Sequence, residues 1–200
     1  MKTILKKYVV KTWDELTEDE KETEKEKYCE EIYKDWDDLC YERFKYDLED
    51  IKERYKNIKF DDILLDYNSH GYWIDSIKGF EYCPEEISIY GEDISLYDID
   101  IKICQTIKNI TTDDIIIEDY YIDSEKLEKI KATKKYKKWV NDIVEDVNNW
   151  IDEVNEICNN YIKNYNYVPD DFVEDYFKNN YIEFEYYVNT VEEDEVIKWI

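Results

Sequence analysis

Residues 94–104 read ISLYDIDIKIC, and the alternation within this stretch decides the class of fold. From position 98 to position 103, a charged residue at each even position alternates with an isoleucine at each odd position. Successive side chains of a strand point to opposite faces of a sheet, so this period of two predicts a half-buried β-strand. The chain is therefore expected to contain a sheet with one face exposed to solvent.

The segments around this stretch have the same Ile- and Tyr-rich texture, and short turns separate them. Turn residues stand at 68–71, at 78–79 and at Gly91. Short strands joined by short turns favour an antiparallel arrangement over a parallel βαβ array. The strands predicted within the sheet region, residues 58–122, are 58–67, 72–82, 87–90, 94–104 and 114–122.

A helical pattern precedes the sheet region. Thr17 and Glu20 have the spacing of a capping box, in which each residue satisfies the other's free amide. From Tyr28 to Tyr55 the apolar residues then recur every three or four positions. The pattern predicts one long helix or two consecutive helices over residues 18–57.

A second helical pattern follows the sheet region, over residues 124–179. Ser124 is its predicted N-cap, and an apolar stripe runs from Trp139 to Tyr161. Pro169 then opens a short helix, because proline is tolerated in the first turn.

Residues 3–10 suit a first strand, and residues 181–190 alternate like a strand. With three Gly and two Pro in 200 residues, the sequence leaves little room for linkers. We therefore expect an α+β fold in a single domain over residues 1–200. It would have an antiparallel sheet of about five to six short strands, with long amphipathic helices packed on one face.

The charge is the strongest compositional feature. The chain has 52 Asp and Glu against 27 Lys and Arg, which leaves a net charge of −25. A globule of this length is roughly 40–45 Å across, and about 25 charges occupy on the order of 42 Å of duplex DNA. Such a protein repels nucleic acid and anionic membranes and attracts basic surfaces, so we expect no direct binding to either of the first two. A charge that serves only solubility remains the alternative.

Five widely spaced cysteines without a C-x-x-C pair predict buried thiols in a reducing compartment rather than a disulfide framework or a zinc site. The chain shows no signal peptide and no apolar run of about 20 residues. We therefore expect a cytoplasmic location, in the host cytoplasm if a phage encodes the protein.

Catalytic patterns are weak. The three glycines are too scattered for a phosphate-binding loop, and the calcium-loop pattern that starts at Asp66 fails because Ile77 occupies its twelfth position. A catalytic triad would have to use the single histidine, His70, which lies in a turn. We expect no cofactor, no metal and no catalytic residue.

Two patterns keep alternatives open. The first has the outline of a metal-dependent nuclease, in which acids hold Mg²⁺ and a lysine orients the attacking water. It consists of Glu85, Asp98, Asp100 and Lys102. The second is a lysine cluster between residues 126 and 138, which is either an anion-binding patch or a solvated helix surface. Its members are Lys126, Lys129, Lys131, Lys134, Lys135, Lys137 and Lys138.

Three stretches of the chain resemble a group of small acidic phage and mobile-element proteins. They are WDELTEDEKE (13–22), FDDILLDYNSHGYWIDSIKGFEY (60–82) and NYNYVPDDFVEDYFKNNYIEFEY (164–186). The central stretch departs from the group at residues 68–72, where the relatives have a Ser-Gln-Gly-Asp-Gly-like turn. The resemblance implies a phage accessory protein, a setting rich in inhibitors of host defence.

Charge and setting together lead to the first hypothesis, an inhibitor that mimics nucleic acid. Carboxylates spaced along the helices at 18–57 and 139–163 would stand in for phosphates in the cleft of a CRISPR effector, a restriction enzyme or another nuclease. The residues expected on this partner-binding face are Glu18, Asp19, Glu22, Asp37, Asp38, Asp47 and Glu49. The other hypotheses are a structural or regulatory phage protein that binds through an Ile/Tyr face and the metal-dependent phosphodiesterase.

Overall fold

The computed structural model describes residues 7–68, 71–117 and 122–188. The helices are α1 (Glu18–Lys27), α2 (Cys29–Arg54), α3 (Ser124–Lys131), α4 (Lys134–Tyr165) and α5 (Asp170–Asn179). The strands are β1 (Lys7–Lys11), β2 (Ile58–Lys59), β3 (Asp62–Asn68), β4 (Gly71–Lys78), β5 (Glu81–Tyr82), β6 (Ile87–Ile89), β7 (Glu92–Ile94), β8 (Asp98–Ile99), β9 (Ile103–Cys104), β10 (Thr106–Ile107), β11 (Ile115–Ile116) and β12 (Phe184–Val188). The predicted α+β class is confirmed. Within the described ranges, no helix combines the length and apolarity that a membrane crossing requires.

The first helical region consists of two consecutive helices, which is one of the two predicted arrangements. The capping box starts α1: the Glu20 amide donates to Thr17 Oγ1 at 3.3 Å, and the Thr17 amide donates to the Glu20 carboxylate at 2.8 Å. Tyr28 ends α1, and α2 begins at the next residue. The helix start that the capping box predicted is therefore confirmed.

The second helical region starts one residue away from the prediction. Ser124 is the first residue of α3, and the N-cap is Asp123, whose carboxylate accepts from the amides of Glu125 and Lys126. A carboxylate at an N-cap also interacts favourably with the positive end of the helix dipole, which favours Asp123 over the neighbouring serine. Pro169 is the N-cap of α5, at the predicted opening of that helix.

The strands form six antiparallel pairs, where the sequence predicted one sheet. The pairs are β1–β12, β2–β5, β3–β4, β6–β7, β8–β11 and β9–β10. The antiparallel direction is as predicted. The separation into pairs has a physical reason, since most of the strands between residues 58 and 116 have only two or three residues and each pairs with one neighbour.

The stretch 94–104 shows why one continuous strand was not formed. Ile99 is buried, while the charged residues at 98, 100 and 102 are exposed, as the alternation predicted. However, the chain changes partner between β8 and β9, because the Asp100 amide donates to the Asp114 carbonyl at 2.9 Å while β9 turns back on β10. The period of two therefore predicted which side chains are buried, but the backbone hydrogen bonds do not continue along a single strand.

The chain divides into two compact units. One comprises Met1–Leu39 and Tyr165–Ile200, and the other comprises Cys40–Asn164. We call them the terminal unit and the central unit. The first boundary falls inside helix α2 and not in a linker, which agrees with the scarcity of Gly and Pro. The single domain expected over residues 1–200 stays a prediction.

The core of the terminal unit is aromatic. The rings of Trp13 and Phe177 stack with centroids 4.3 Å apart, and Phe184 of β12 meets Phe177 edge-on at 5.5 Å. Strand β12 pairs with β1 along its whole length. Glu24 is buried beside this pair and accepts from Lys27 Nζ at 2.6 Å and from the Tyr186 hydroxyl at 3.0 Å, so the buried carboxylate is satisfied.

The core of the central unit lies between α2, α4 and the strand pairs. The side chain of Trp150, on α4, is fully buried, with the rings of Phe60 at 5.6 Å and Phe80 at 5.3 Å. The C-terminal half of α2 adds Phe44, Leu48 and Ile51 to the same core. The predicted apolar stripe of α4 is confirmed by its buried residues, which are Trp139, Val140, Ile143, Val147, Trp150, Ile151, Val154 and Cys158.

Two asparagines of α4 hold the segment that follows β9. Asn155 accepts from the amide of Ile107 at 3.0 Å and donates to its carbonyl at 2.8 Å. Asn148, two turns earlier, binds Ile110 in the same way at 2.7 and 3.0 Å. Each side-chain amide thus takes the place of a neighbouring strand for a backbone without a full β partner.

Candidate functional site

Helix α4 has a continuous acidic face opposite its buried stripe. At about 100° per residue, the six carboxylates from Asp142 to Glu156 fall within roughly one third of the helix circumference. We call this set the acidic stripe: Asp142, Glu145, Asp146, Asp152, Glu153 and Glu156. The apolar residues on the far side fix this orientation, because they can be buried only if the acidic stripe faces solvent. All of these residues lie in the central unit.

The charge density of the acidic stripe, counted over all six carboxylates and before the ion pairs of Asp142 and Glu153, is close to that of a nucleic-acid strand. Asp142 and Glu156 are fourteen positions apart, which corresponds to about 21 Å along the helix axis and about one charge per 4 Å. One strand of duplex DNA carries one charge per ~3.4 Å of axis. No Lys or Arg occurs in the sequence between Lys138 and Lys163, so no basic residue of α4 interrupts the stripe.

Neighbouring side chains orient two carboxylates of the stripe. The Tyr82 hydroxyl donates to Asp146 at 2.9 Å, and the Tyr55 hydroxyl donates to Glu153 at 2.6 Å. Burial, followed by the adjacent carboxylate, raises the pKa of Tyr55 to about 12 and also raises the pKa of Tyr82. Both phenols therefore remain protonated donors at neutral pH.

Only part of the stripe is neutralised by cations. Arg54 pairs with Glu153, and Lys138 pairs with Asp142 at 2.7 Å. Glu145, Asp152 and Glu156 are exposed, and they form no ion pair with any residue that the structure describes. Asp152 and Glu156 are thus presented to solvent without a counter-charge from the described residues, whereas Glu145 interacts electrostatically with Lys138 without forming an ion pair.

A groove of about 590 Å³ lies at the N-terminal end of the stripe. We call it the acidic groove. Its carboxylates are Glu85, Glu86, Asp142, Glu145 and Asp146, and no Lys or Arg is among its lining residues. Aromatic side chains also line it: the Tyr82 hydroxyl binds Asp146, and the Trp139 indole nitrogen donates to the Glu85 carbonyl at 3.0 Å.

The residues predicted for the partner-binding face lie in different parts of the fold. Glu18, Asp19, Glu22, Asp37 and Asp38 belong to the terminal unit, and Asp47 and Glu49 belong to the central unit. Asp37 and Asp47 are half-buried, and the other five are exposed. On α2, Asp47 and Glu49 are about 200° apart around the helix axis, so these two do not share a face.

The four residues of the metal-dependent nuclease pattern do not form one group, although Lys102 and Asp100 are in contact. Lys102 pairs with Asp114 at 2.8 Å and with Asp100 at 3.4 Å, while the Asp98 carboxylate accepts from the Ile99 amide. Glu85 lies in the acidic groove, which none of the other three residues lines. In the described ranges, no three acidic, histidine or cysteine side chains form a group that could hold a metal ion. The constellation on which this hypothesis depended is therefore absent from residues 85–102.

Most of the lysine cluster is engaged by neighbouring groups. Lys126, Lys129, Lys131 and Lys138 pair with carboxylates, and Lys135 donates to the Ser88 carbonyl at 3.0 Å. Such contacts are typical of a solvated helix surface on which lysines reduce the repulsion between carboxylates. This was one of the two interpretations of the lysine cluster, the other being an anion-binding patch. The other candidate, His70, lies outside the described residues.

The prediction that the cysteines are buried is correct for Cys40 and Cys158 and wrong for Cys29, Cys83 and Cys104, which are exposed. None of the five cysteines forms a disulfide bond within the described residues. Burial raises the pKa of Cys158 to about 12, so this thiol stays protonated.

The absence of basic residues would not by itself have located the stripe, because the runs 79–101, 109–125 and 179–197 are also acidic and lack Lys and Arg. Within the predicted helical regions the signal is clearer: the run from Trp139 to Ile162 contains six acidic residues and no basic residue, whereas residues 18–57 mix charges of both signs. The hypothesis included this helix as a region but named acids only from residues 18–49, where the lysines are frequent. Comparisons of the chain with protein-family models, with curated proteins and with solved structures found no match.

Proposed function

We propose that this chain is a phage-encoded acidic inhibitor that occupies the nucleic-acid-binding cleft of a host defence enzyme. The enzyme would be a CRISPR effector, a restriction enzyme or another nuclease. The observation that supports the proposal is the acidic stripe, whose charge density is close to that of one nucleic-acid strand. The phage origin is carried over from the sequence resemblance.

The mechanism would be competition for the same cations. Lys and Arg side chains that line a nucleic-acid cleft are spaced to meet phosphates, and carboxylates at similar spacing accept the same charge-assisted hydrogen bonds. A rigid helix holds the carboxylates in place before binding, which reduces the entropy lost on association. Glu145, Asp152 and Glu156 are available for these contacts because none of them forms an ion pair within the described chain.

The test is a capture from host lysate with the full chain immobilised, followed by binding and inhibition assays on the purified captured enzyme. We expect DNA or RNA to compete with the chain, and about 0.5 M salt to release the enzyme, because salt screens exposed charge pairs. The stripe variant Glu145→Lys, Asp152→Lys and Glu156→Lys is expected to bind at least about tenfold more weakly.

The control variant carries the same charge change outside the stripe and off α4, at Glu42→Lys, Asp75→Lys and Asp93→Lys. These three residues also belong to the central unit, are exposed and have no ion pair with a described residue. The control is expected to retain most of the affinity. Equal weakening by both variants, or a partner that binds no nucleic acid and holds through high salt, would contradict mimicry by the stripe and would favour binding through an aromatic face.

A further inference from the structure

The lining of the acidic groove suits one chemical class of ligand. Its walls combine aromatic rings, from Tyr82 and Trp139, with apolar side chains, from Ile87 and Ile143. Carboxylates of α4 and of residues 85–86 complete the lining. A site of this composition favours a cation that is also flat and weakly hydrated, since one part of it must leave water for an aromatic surface.

Two hydrogen bonds hold parts of the groove in place before any ligand arrives. The Trp139 indole nitrogen donates to the Glu85 carbonyl at 3.0 Å, which ties α4 to the loop that carries Glu85 and Glu86. The Tyr82 hydroxyl donates to the Asp146 carboxylate at 2.9 Å, which orients that carboxylate. A ligand would therefore bind to a preorganised site and lose less free energy in ordering it.

The carboxylates of the groove are poorly neutralised. Asp142 pairs with Lys138 at 2.7 Å, and this is the one ion pair that the described residues supply to the groove carboxylates. Glu85, Glu86 and Glu145 form none within that part of the chain. In a concave site bounded by protein, uncompensated carboxylates focus the electric field and raise the local concentration of cations.

From this geometry we infer that the acidic groove is the docking site for an arginine side chain of the basic partner, an inference that rests on the proposed function. A guanidinium group can stack on an aromatic ring and form paired hydrogen bonds with a carboxylate. A lysine ammonium is a compact, strongly hydrated point charge and gains less from the aromatic walls. A metal ion is a poorer fit, because the described residues contain no group of three side chains that could ligate one.

The first measurement titrates the full ¹⁵N-labelled chain with three short glycine-rich peptides. One contains arginine, the second contains lysine and the third contains citrulline, which keeps the shape of arginine without its charge. The reporter is the Trp139 indole N–H signal, identified by its disappearance in Trp139→Phe. We expect a saturable shift of this signal with the arginine peptide, about fivefold weaker binding of the lysine peptide and no shift with citrulline. Equal affinity for arginine and lysine, or an unmoved Trp139 signal, would overturn the inference.

A pair of variants separates the groove from the rest of the stripe. The groove variant, Glu85→Gln and Glu86→Gln, removes two groove carboxylates that are not on α4. The matched control, Asp152→Asn and Glu156→Gln, removes two stripe carboxylates that do not line the groove. All four residues are exposed, so both variants are expected to fold, which a thermal melt verifies. We expect roughly tenfold weaker arginine-peptide binding by the groove variant and less than about a twofold change in the control.

The two proposals can fail separately. If the control weakens arginine-peptide binding as much as the groove variant does, the groove is not the site, and mimicry by the stripe is still decided by the capture experiment. If the arginine peptide binds at the groove while the stripe variant captures and inhibits the host enzyme as well as the unmodified chain does, arginine docking stands and mimicry by the stripe fails.

Discussion

At the scale of single residues, two glycines show how differently the fold depends on backbone freedom. Gly91 follows Tyr90 in the tight turn between β6 and β7, and both have positive φ, which is the geometry of a two-residue type I′ hairpin. A Cβ at Gly91 would have no atom within 4 Å. Gly79 also has positive φ, but a Cβ there would lie 2.4 Å from Asp61 Oδ2.

Substitution of Gly79 by alanine is therefore expected to cost more stability than the same change at Gly91. Gly91→Ala adds only the left-handed backbone penalty, about 1 kcal/mol, whereas Gly79→Ala also displaces the carboxylate of the exposed Asp61 side chain, which should add about 0.5–1 kcal/mol. Urea denaturation of both variants measures the difference. Asp61→Ala in the Gly79→Ala background should recover the steric part, and the absence of any recovery would show that the contact with Asp61 is not the cause.

At the scale of elements, α4 makes many of the packing and hydrogen-bond contacts of the central unit. The sequence predicted its buried residues but not its long-range hydrogen bonds. The apolar stripe from Trp139 to Tyr161 was predicted because burial imposes a period of 3.6 residues. The roles of Asn148 and Asn155 were not, because their partners, Ile110 and Ile107, are about 40 to 50 positions away in sequence. Only the folded chain brings these groups together.

Contacts between residues that are distant in sequence also explain why the strand pairs and the acidic groove were not predicted. The period of two at residues 98–103 predicted which side chains are buried, but it carries no information on which strand lies beside it. The groove joins residues near 57, 82–87 and 139–149, and no local pattern connects those segments. By contrast, the capping box at Thr17 was read correctly because all of its contacts lie within four residues.

Removal of either asparagine amide is expected to destabilise the contact between α4 and the segment 107–110. Asn148→Ala or Asn155→Ala leaves a backbone N–H and C=O without their partners, which should cost about 1–3 kcal/mol each. Asn160→Ala is the matched control, because this exposed asparagine of the same helix makes no side-chain contact within the described chain. Denaturant unfolding provides the comparison, and equal stability of the two sets would contradict the role assigned to the amides.

At the scale of the whole molecule, the net charge of −25 means that repulsion between carboxylates exceeds the attraction within the ion pairs. All but one of the described ion pairs include at least one side chain that is more than a third exposed, and such pairs contribute only about 0–1 kcal/mol each. The fold therefore retains a large uncompensated charge, part of which is concentrated in the acidic stripe. A protein that keeps this repulsion is less stable than its core alone would allow.

Added salt is accordingly expected to stabilise the chain. Raising NaCl from about 0.05 M to about 0.5 M shortens the screening length from over 10 Å to a few ångströms, which weakens the long-range repulsion more than the close ion pairs. A thermal melt in each buffer should show a higher midpoint at high salt. The stripe variant, with a net charge of −25 + 6 = −19, should show a smaller increase. A lower midpoint at high salt would mean that ion pairs dominate.

The absence of Lys and Arg between Lys138 and Lys163 also has a consequence for protein digestion. Trypsin cleaves after basic residues and finds no cleavage site inside this part of α4, even when the chain is unfolded. A complete digest consequently releases the entire acidic stripe, together with the buried residues behind it, as the single fragment Trp139–Lys163. Any cross-link or protecting modification that a bound partner leaves on the stripe would be recovered on that one peptide.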